Sequence, residues 1–425
     1  MGIGGSGASA VARIARGYGY EVSGCDLEEG RITRLLRNEG IPVEIGHNAA
    51  HLKNIRLLAH TSAVFYQSAK EPEYLQARKR KIAVTWEEFM ARYLMPEKFV
   101  VAVAGTHGKG TTTAMLAWIL DQAGTDPTCE IGANLLDWNR KNFRVGKSEY
   151  FICEADEFRD KFLLYKPNLL VVTSVEMDHP EYFKNINQIL GSFNKLIRRM
   201  KAPKILVINQ EDGGCKELIK SVKSVKGLKI IKYQRFKNNE IKLKLPGEHI
   251  RADAAAAFAA AKALGIAPNQ IKQYLESFSG LERRFEYRGK TAEGVDIYDD
   301  YAHHPTAVRV NIAAARERRI KGKLWVVFQP HMYARLQLLF ADFKEALRKA
   351  DRVVVTDVYT RREKEISKPT GKDLALAIGG PQATYVGGDL TNVANFIRRN
   401  TAKNDTVLLM GAGDIYQISD LLFSR

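Results

Sequence analysis

The 425-residue sequence has few cysteines and no long apolar run, and each of these features argues against certain classes of protein. The four cysteines, Cys25, Cys129, Cys153 and Cys215, are scattered and form no CxxC pair. This argues against a disulfide framework and against a zinc site, and it predicts a cytoplasmic protein. No apolar stretch approaches the ~20 residues that span a bilayer, and the N-terminus has no secretory pattern. We therefore expect no membrane insertion.

The sequence contains fewer acidic than basic residues. It has 48 Asp and Glu and 65 Lys and Arg, which gives a formal net charge of +17. Such an excess is compatible with a solvated Lys-rich surface, with anionic nucleotide substrates, or with nucleic-acid binding. The basic clusters are short, and no zinc-finger or RNP-type pattern accompanies them. We favour the solvated surface, then anionic substrates, and expect no nucleic-acid partner.

The chain is long enough for two to four domains, and strand-like and helix-like segments alternate along it in three stretches. This alternation predicts an α/β protein of three domains with mostly parallel sheets. The predicted domains are residues 1–97, 98–282 and 283–425. Strands are predicted at 20–26, 55–60, 81–84, 98–104, 150–153, 169–173, 204–208, 295–298, 324–328, 353–356 and 407–410, and helices at 8–16, 111–123 and 252–264.

A glycine-rich turn at residues 2–7 opens the first domain and leads into the predicted helix 8–16. In a βαβ unit such a turn normally follows a buried strand, whereas this sequence starts at the turn itself.

The strongest local motif is the segment 104–113, Ala-Gly-Thr-His-Gly-Lys-Gly-Thr-Thr-Thr, between a predicted strand and a predicted helix. Small residues let backbone N–H groups surround a phosphate, and Lys109 is placed to meet the outer phosphates. The segment lacks the first glycine of a full Walker A motif, and Gly110 stands where a Mg²⁺-binding hydroxyl usually follows the lysine. By itself it predicts a phosphate-binding loop.

Acidic and imidazole groups follow two further strands of the same domain. Glu154-Ala-Asp-Glu157 comes after the strand 150–153, and Glu176-Met-Asp-His179 comes after the strand 169–173. Because ligands bind at the carboxyl ends of parallel strands, these groups are placed to hold a Mg²⁺ ion beside a phosphate. In the third domain, two polar clusters at 299–306 and 328–335 likewise follow strands and contain histidines.

Taken in order, these segments resemble the Mur ligase family along essentially the whole chain. The motifs are the turn at 2–7, Gly-Thr-His-Gly-Lys at 105–109, Glu-Ala-Asp-Glu at 154–157, the Asp178-His179 pair, Arg-Arg-Phe at 283–285, Asp-Asp-Tyr-Ala-His-His-Pro-Thr at 299–306, Phe-Gln-Pro-His at 328–331 and Gly-Ala-Gly-Asp-Ile at 411–415. Within the family they point to the members that add L-alanine to UDP-N-acetylmuramate.

The resemblance implies a Rossmann-like N-terminal domain for the UDP-sugar, a central P-loop-type ATPase domain, and a Rossmann-like C-terminal domain for the amino acid. It implies ATP-dependent ligation of L-alanine to the lactyl carboxylate of UDP-N-acetylmuramate through an acyl phosphate, with Mg²⁺ as cofactor, in peptidoglycan synthesis.

The resemblance also assigns roles to individual residues. The implied catalytic residues are Lys109, His179, Arg284, His304 and Arg335. The implied ATP site is Gly105, Thr106, His107, Gly108, Lys109, Gly110, Thr111, His249 and Asp300. The implied UDP-sugar site is Gly4, Ser6, Gly7, Asp26, His47, Thr61 and Ser62. The implied amino-acid site is His304, His331 and Arg335, and the implied metal ligands are Glu154, His179 and Thr111.

Several positions depart from the family pattern. Gly110 replaces a Thr or Ser, Ser174 replaces an Asn, Ile250 and Asp253 occupy two Asn positions, and Met332 replaces an arginine near the acceptor site. Three functions stay open at this point: the alanine-adding ligase, a related ligase that adds another amino acid or a recycled tripeptide, and a non-catalytic homologue that binds the sugar nucleotide.

Overall fold

The computed structural model describes residues 1–67, 69–179, 182–318, 320–360 and 369–424. The chain forms two compact units. One comprises Met1–Lys242 with Ala252–Phe278, and the other comprises Leu243–Arg251 with Ser279–Arg425. Among the described residues, no helix has the length and apolar character to cross a bilayer.

The first part of the first unit contains two small parallel sheets, β1–β2 and β3–β4. Its elements are α1 (Ser6–Gly17), β1 (Gly24–Asp26), α2 (Arg31–Asn38), β2 (Val43–Ile45), β3 (Leu58–His60), α3 (Val64–Gln67), α4 (Pro72–Lys79), β4 (Ala83–Thr85) and α5 (Trp86–Phe89). Residues 1–3 connect the two sheets: the N–H groups of Gly2 and Ile3 donate to Cys25 O at 2.8 and 3.1 Å, and the Met1 amine donates to Ala59 O at 2.9 Å.

The rest of the first unit is built on a seven-stranded sheet in the order β11-β10-β9-β5-β8-β6-β7, in which only β7 is antiparallel. Its elements are β5 (Phe99–Ala104), α6 (Lys109–Gln122), β6 (Thr128–Leu135), β7 (Lys141–Arg144), β8 (Tyr150–Glu154), β9 (Leu169–Val172), α7 (Ile186–Arg198), β10 (Lys204–Asn209), α8 (Gly213–Val222), β11 (Leu228–Tyr233), α9 (Glu248–Ala263) from Ala252 onward, and α10 (Pro268–Ser277). The central strands β5 and β9 are almost entirely apolar because both faces of the sheet are covered.

The second unit holds a six-stranded sheet in the order β12-β13-β17-β14-β15-β16, with β12 antiparallel and the other strands parallel. Its elements are β12 (Glu286–Lys290), β13 (Asp296–Asp300), α11 (Pro305–Glu317), β14 (Leu324–Phe328), α12 (Tyr333–Leu338), α13 (Phe340–Leu347), β15 (Arg352–Val355), α14 (Gly371–Ile378), β16 (Ala383–Tyr385), α15 (Leu390–Asn400), β17 (Thr406–Met410) and α16 (Gln417–Phe423). Separate apolar cores cover its two faces.

The α/β class and the mostly parallel sheets are confirmed, and each predicted strand has a counterpart within a few residues. The predicted strand 20–26 is shorter, since only Gly24–Asp26 pairs with β2. Strands β2, β6, β7, β11, β12 and β16 were not predicted. All six contain polar or exposed positions, so they lack the continuous apolar run that marks the central strands. The predicted domain boundaries stay predictions.

Candidate functional site

The segment 104–113 forms a tight loop between β5 and α6, as its sequence predicts. Gly105 and Gly108 have positive φ angles of 142° and 78°. A Cβ at Gly105 would come within 2.1 Å of Thr173 Oγ1, and one at Gly108 within 2.2 Å of Asp253 Oδ1. Both positions therefore require glycine, for the backbone angle and for the close approach. Helix α6 begins at Lys109, so the loop lies at a helix N-terminus, where backbone N–H groups favour anions.

The end of β9 holds this loop in place. Thr106 N and His107 N donate to Ser174 O and Ser174 Oγ, both at 3.0 Å, and Thr173 Oγ1 donates to His107 O at 2.5 Å. Thr106 Oγ1 also accepts from Glu176 N at 2.9 Å. Ser174, at which the sequence departs from the family pattern, thus supplies a contact that orients the phosphate loop.

Lys109 Nζ is partly buried and lies among oxygen atoms. It donates to Gly105 O at 2.6 Å and to Glu157 Oε2 at 3.0 Å. Burial acts to lower the pKa of Lys109, but the carboxylates of Glu157, Asp156 and Glu154 outweigh it and raise the pKa. The lysine therefore carries its positive charge at the mouth of the loop, where it can meet a phosphate.

Glu154, at the end of β8, lies beside two glycines. A Cβ at Gly132 would come within 2.4 Å of Glu154 Oε2, and one at Gly110 within 3.3 Å of the same atom. Gly110 is the second residue of α6 and does not have a positive φ, so a larger residue fits its backbone. The predicted ligand Thr111 follows in α6 and is buried.

Ligand atoms of Asp156, Glu157 and His179 all lie within 4.8 Å of one another. The His179 ring packs against the Phe158 ring with centroids 4.6 Å apart, and His179 N donates to Asp178 Oδ1 at 2.7 Å. Two carboxylates and one imidazole form a donor set that fits Mg²⁺, so the residues present suit the cofactor that the resemblance implies. His179 lies in this group with Asp156 and Glu157, both from the predicted Glu154–Glu157 motif, whereas Glu154, the ligand that the resemblance implies, is outside the group.

Most of the predicted UDP-sugar residues lie near the start of α1. Gly4 N donates to Asp26 Oδ2 at 2.7 Å, and a Cβ at Gly4 would come within 2.9 Å of that oxygen. A Cβ at Gly7 would come within 2.8 Å of the Trp86 ring. Ser6 Oγ donates to Gly132 O at 3.1 Å. Glycine at these positions allows the close approach of neighbouring groups.

The other predicted UDP-sugar residues follow strands of the two small sheets. Thr61 comes directly after β3, and its N–H donates to Met1 O at 3.3 Å. The carbonyl of the next residue, Ser62, accepts from Phe65 N at 3.2 Å. His47 follows β2, and its Nδ1 lies 3.3 Å from Cys25 Sγ.

In the second unit, Asp299 and Asp300 end β13 and face the arginines of the 283–285 segment. Arg283 Nε lies 3.3 Å from Asp299 Oδ2, and the guanidinium of Arg284 lies over the Tyr301 ring at 5.2 Å. Asp300 accepts from Phe285 N and Ala302 N, both at 2.7 Å, so its carboxylate orders the surrounding turn. Its predicted contact with ribose stays a prediction.

The predicted amino-acid residues lie on the turns after β13 and β14. His304 caps α11, its Nδ1 accepting from Thr306 N at 3.3 Å. Arg335 Nη1 lies 3.4 Å from His331 Nδ1, and the His303 and His331 rings are 5.8 Å apart. Met332 has a positive φ of 68° and donates its N–H to Tyr359 O at 3.0 Å. His331 and Arg335 thus form one polar cluster, and Met332 lies between them in the chain.

The ring of His249, the predicted adenine contact, lies close to the backbone of Gly247. Both residues belong to the second unit. Burial lowers the pKa of His249 to about 4, so the imidazole is neutral near pH 7. A Cβ at Gly247 would come within 2.6 Å of its ring, which explains the glycine with a φ of 111°.

The sequence analysis noted Asp253 and Ser174 as departures from the family pattern but did not predict that they contact the loop 104–113. Asp253 Oδ1 occupies the space that a Cβ at Gly108 would need, although the two residues are distant in sequence. Only the tertiary structure brings these groups to the loop. Glu157 belongs to the motif that the sequence places beside Mg²⁺, but its ion pair with Lys109 was not predicted.

Three family models match the chain in succession. The Mur ligase family catalytic domain matches residues 1–95, the Mur ligase middle domain matches residues 103–240, and the Mur ligase glutamate ligase domain matches residues 283–413. Together they account for the three-domain α/β organisation.

Full-length relatives give the same result. The chain is 35% identical to UDP-N-acetylmuramate–L-alanine ligase of Caldicellulosiruptor bescii, over 100% of this chain and 98% of the relative. It is 34% identical to the protein of the same name from Acetivibrio thermocellus, over 99% and 94% of the two chains.

Solved structures agree with the relatives. UDP-N-acetylmuramate–alanine ligase from Thermotoga maritima superposes with a TM-score of 0.82 at 30% identity, covering 99% of this chain and 96% of that one. A murein peptide ligase from Psychrobacter arcticus shares the fold, with a TM-score of 0.72 at 22% identity over 100% and 98% of the two chains. By its sequence and by its fold, the chain belongs to the Mur ligase family.

Proposed function

We propose that this chain ligates L-alanine to the lactyl carboxylate of UDP-N-acetylmuramate at the expense of ATP. The observation that carries the proposal is the phosphate loop with a charged, partly buried Lys109 at the start of α6, in a chain similar over its full length to ligases of that name. The loop supports ATP as a substrate. The full-length similarity supports UDP-N-acetylmuramate and L-alanine as the two other substrates.

The reaction has two steps. The lactyl carboxylate attacks the γ-phosphorus of ATP, the bond to the β-phosphate oxygen breaks, and an acyl phosphate and ADP form. The amine of L-alanine then attacks the acyl carbon, inorganic phosphate leaves with the C–O electron pair, and the amine loses a proton. Both partners of the first step are anions, so positive charge at the transferring phosphoryl group is the main catalytic requirement.

Lys109 supplies part of that charge. Its Nζ is paired with Glu157, and we infer that a phosphate oxygen takes over this ammonium when ATP binds. Asp156, Glu157 and His179 would hold Mg²⁺, with Glu154 and Thr111 as the ligands implied by the family. When bound, Mg²⁺ neutralises charge on the phosphate oxygens.

The polar cluster of the second unit would bind the amino acid. The planar guanidinium of Arg335 fits a carboxylate. His331 lies beside Arg335 and would contact the same part of the amino acid. His304, at the N-terminus of α11, would act beside them. The first part of the chain, with Gly4, Asp26, Thr61 and Ser62, would bind the uridine diphosphate, consistent with the excess of basic residues and an anionic substrate.

The test is a ligation assay with ATP, Mg²⁺ and UDP-N-acetylmuramate, in which phosphate release and the ligated product are both measured. We expect phosphate release that depends on the sugar nucleotide and on L-alanine, with product at one equivalent per phosphate. A folded chain that releases no phosphate under any of these conditions would instead support the non-catalytic homologue.

A second candidate function is ligation of a different acceptor, and Met332 is the observation that favours it. Met332 stands where alanine-adding relatives carry an arginine. The same assay with glycine, L-serine and tripeptide in place of L-alanine compares the candidates. If L-alanine is the acceptor, Met332→Arg should lower its KM with little change in kcat, and Arg335→Ala should nearly abolish alanine-dependent turnover. A higher kcat/KM for another acceptor would replace L-alanine in the proposal.

A further inference from the structure

A second group of side chains of the types that bind metals lies away from the phosphate loop, in the first part of the chain. It consists of Cys25 in β1, His47 after β2 and Glu73 in the first turn of α4, and their ligand atoms lie within 4.8 Å of one another. The three residues are far apart in sequence and match no metal-binding motif. Nothing in the proposed ligation reaction uses Cys25 or Glu73.

The distances within this group match those of a coordination shell. Cys25 Sγ lies 3.3 Å from His47 Nδ1 and 3.3 Å from Glu73 Oε2, and His47 Nδ1 lies 3.6 Å from the same Glu73 oxygen. Around a tetrahedral Zn²⁺, with bonds of about 2.3 Å to sulfur and about 2.0–2.1 Å to nitrogen or oxygen, ligand atoms are about 3.3–3.6 Å apart. The three atoms are therefore spaced to share one ion.

The surroundings of the group orient its ligands. Glu73 Oε2 accepts from Asn48 N at 3.1 Å and lies 3.3 Å from His51 Nδ1, which holds the carboxylate toward Cys25 and His47. Such outer contacts are typical of metal sites. The side chains of His47 and Glu73 are 3% and 2% exposed, whereas that of His51 is 26% exposed and gives the site an approach from solvent.

We propose that Cys25, His47 and Glu73 form a binding site for a borderline-soft divalent cation of the Zn²⁺ class, with a fourth position open to water. Thiolate and imidazole ligands favour Zn²⁺ and Co²⁺ over Mg²⁺, so this site and the oxygen-rich Asp156–Glu157–His179 group would take different ions. The thiolate and the Glu73 carboxylate together balance the charge of the cation.

Binding includes one proton transfer. The buried thiol of Cys25 donates to the Glu73 carboxylate. When the cation binds, the S–H bond breaks, the electron pair stays on sulfur and forms the bond to the metal, and one proton passes to solvent.

The test is titration of the metal-free, full-length chain with Co²⁺ and with Zn²⁺, without nucleotide or alanine, so that the result does not depend on the proposed ligase activity. We expect thiolate-to-Co²⁺ charge-transfer absorption that saturates at one equivalent and disappears on adding Zn²⁺. Ions at the Asp156–Glu157–His179 group cannot produce this absorption, because that group contains no sulfur. Proton release measured in weak buffer should accompany the titration.

Three variants identify the ligands. Cys25→Ser should remove the charge-transfer absorption, and Glu73→Gln should weaken binding by more than about tenfold. Cys215→Ala, which removes a buried cysteine elsewhere in the same unit, should leave the titration unchanged. If a variant fails to fold, mapping the cysteine that Zn²⁺ protects from alkylation in the unmodified chain decides the same question. No charge-transfer absorption, the same absorption in Cys25→Ser, or protection of a cysteine other than Cys25 would overturn the proposal.

Discussion

At the residue scale, we expect the proposed phosphoryl transfer to depend most on Lys109. Replacing it with Ala should reduce kcat/KM for ligation by an amount equivalent to about 3–4 kcal/mol, because a charged donor aimed at the transferring phosphoryl group is lost. Steady-state phosphate release measures the effect. The matched control is Lys220→Ala, an exposed lysine on α8, which should keep normal turnover. Near-normal turnover of the Lys109 variant would show that the loop does not hold the reacting phosphates.

Gly110 offers a second test at the residue scale, since it lacks the hydroxyl that the family resemblance implies at this position for binding Mg²⁺. A Cβ at this position would lie 3.3 Å from Glu154 Oε2, so a threonine hydroxyl would enter the same region. Gly110→Thr should lower the Mg²⁺ concentration needed for half-maximal turnover and tighten Mn²⁺ binding measured by electron paramagnetic resonance. Gly110→Ala adds the Cβ without the hydroxyl and should do neither. Equal effects of the two substitutions would exclude the hydroxyl as the cause.

At the scale of elements, the carboxyl end of β13 contains a buried aspartate, Asp299, whose pKa is unusually high. Asp299 is fully buried, and its nearest basic group is Arg283, with Nε at 3.3 Å. Burial raises the pKa of Asp299 to about 7; Arg283 opposes this shift and the acidic neighbours Asp300 and Glu286 add to it. The folded state therefore binds the Asp299 proton more strongly than the unfolded chain, whose aspartates titrate near about 3.9.

This shift gives a pH dependence with a definite sign. The stabilising contribution of the Asp299 proton is complete below about pH 4 and is lost as the pH rises through about 7. Asp299→Asn imitates the protonated form, so the free energy of unfolding of the variant should gain on that of the unmodified chain across this window. Urea denaturation at several pH values between about 4 and 8 measures the difference. Asp296→Asn, nearer solvent on the same strand, is the control, and parallel curves for Asp299→Asn and the unmodified chain would contradict the expectation.

At the scale of the whole molecule, the chain has a formal net charge of +17, and the proposed substrates ATP and UDP-N-acetylmuramate are anions. Screening shortens the reach of this charge, from a Debye length of about 10 Å at 0.1 M salt to about 3 Å at 1 M. We expect the KM for UDP-N-acetylmuramate to rise with salt, while the KM for zwitterionic alanine changes little. Initial rates over a series of salt concentrations test this. A sugar-nucleotide KM independent of salt would mean that the excess charge is a solvated surface without a part in binding.

At each of these three scales, some features of the fold and of the candidate site can be predicted from the sequence and others cannot. At the residue scale, glycines with strict backbone requirements, such as Gly105 and Gly108, mark the phosphate loop in the sequence alone. The carboxylates beside the loop are less predictable. The sequence predicts Glu154 as a metal ligand, yet the close group in the structure is Asp156, Glu157 and His179, because the turn after β8 brings the last two residues of the motif toward His179.

At the element scale, strands with continuous apolar runs, such as β5, β9 and β14, are predictable because both of their faces are buried. Edge strands such as β7 and β11 have exposed positions and no comparable pattern, so their pairing partners decide their conformation.

The sequence by itself determined the α/β class, the order of the motifs and the phosphate loop, because these depend on local patterns of apolar, small and charged residues. Only the tertiary structure decided which distant groups share a site. Asp253 approaches Gly108 from another helix, Ser174 holds the loop from the end of β9, and Cys25, His47 and Glu73 meet from three separate elements. The absence of a CxxC pair argued against a zinc site, but spacing along the chain says nothing about ligands that packing brings together. Such contacts follow from the packing of whole elements, which no local pattern records.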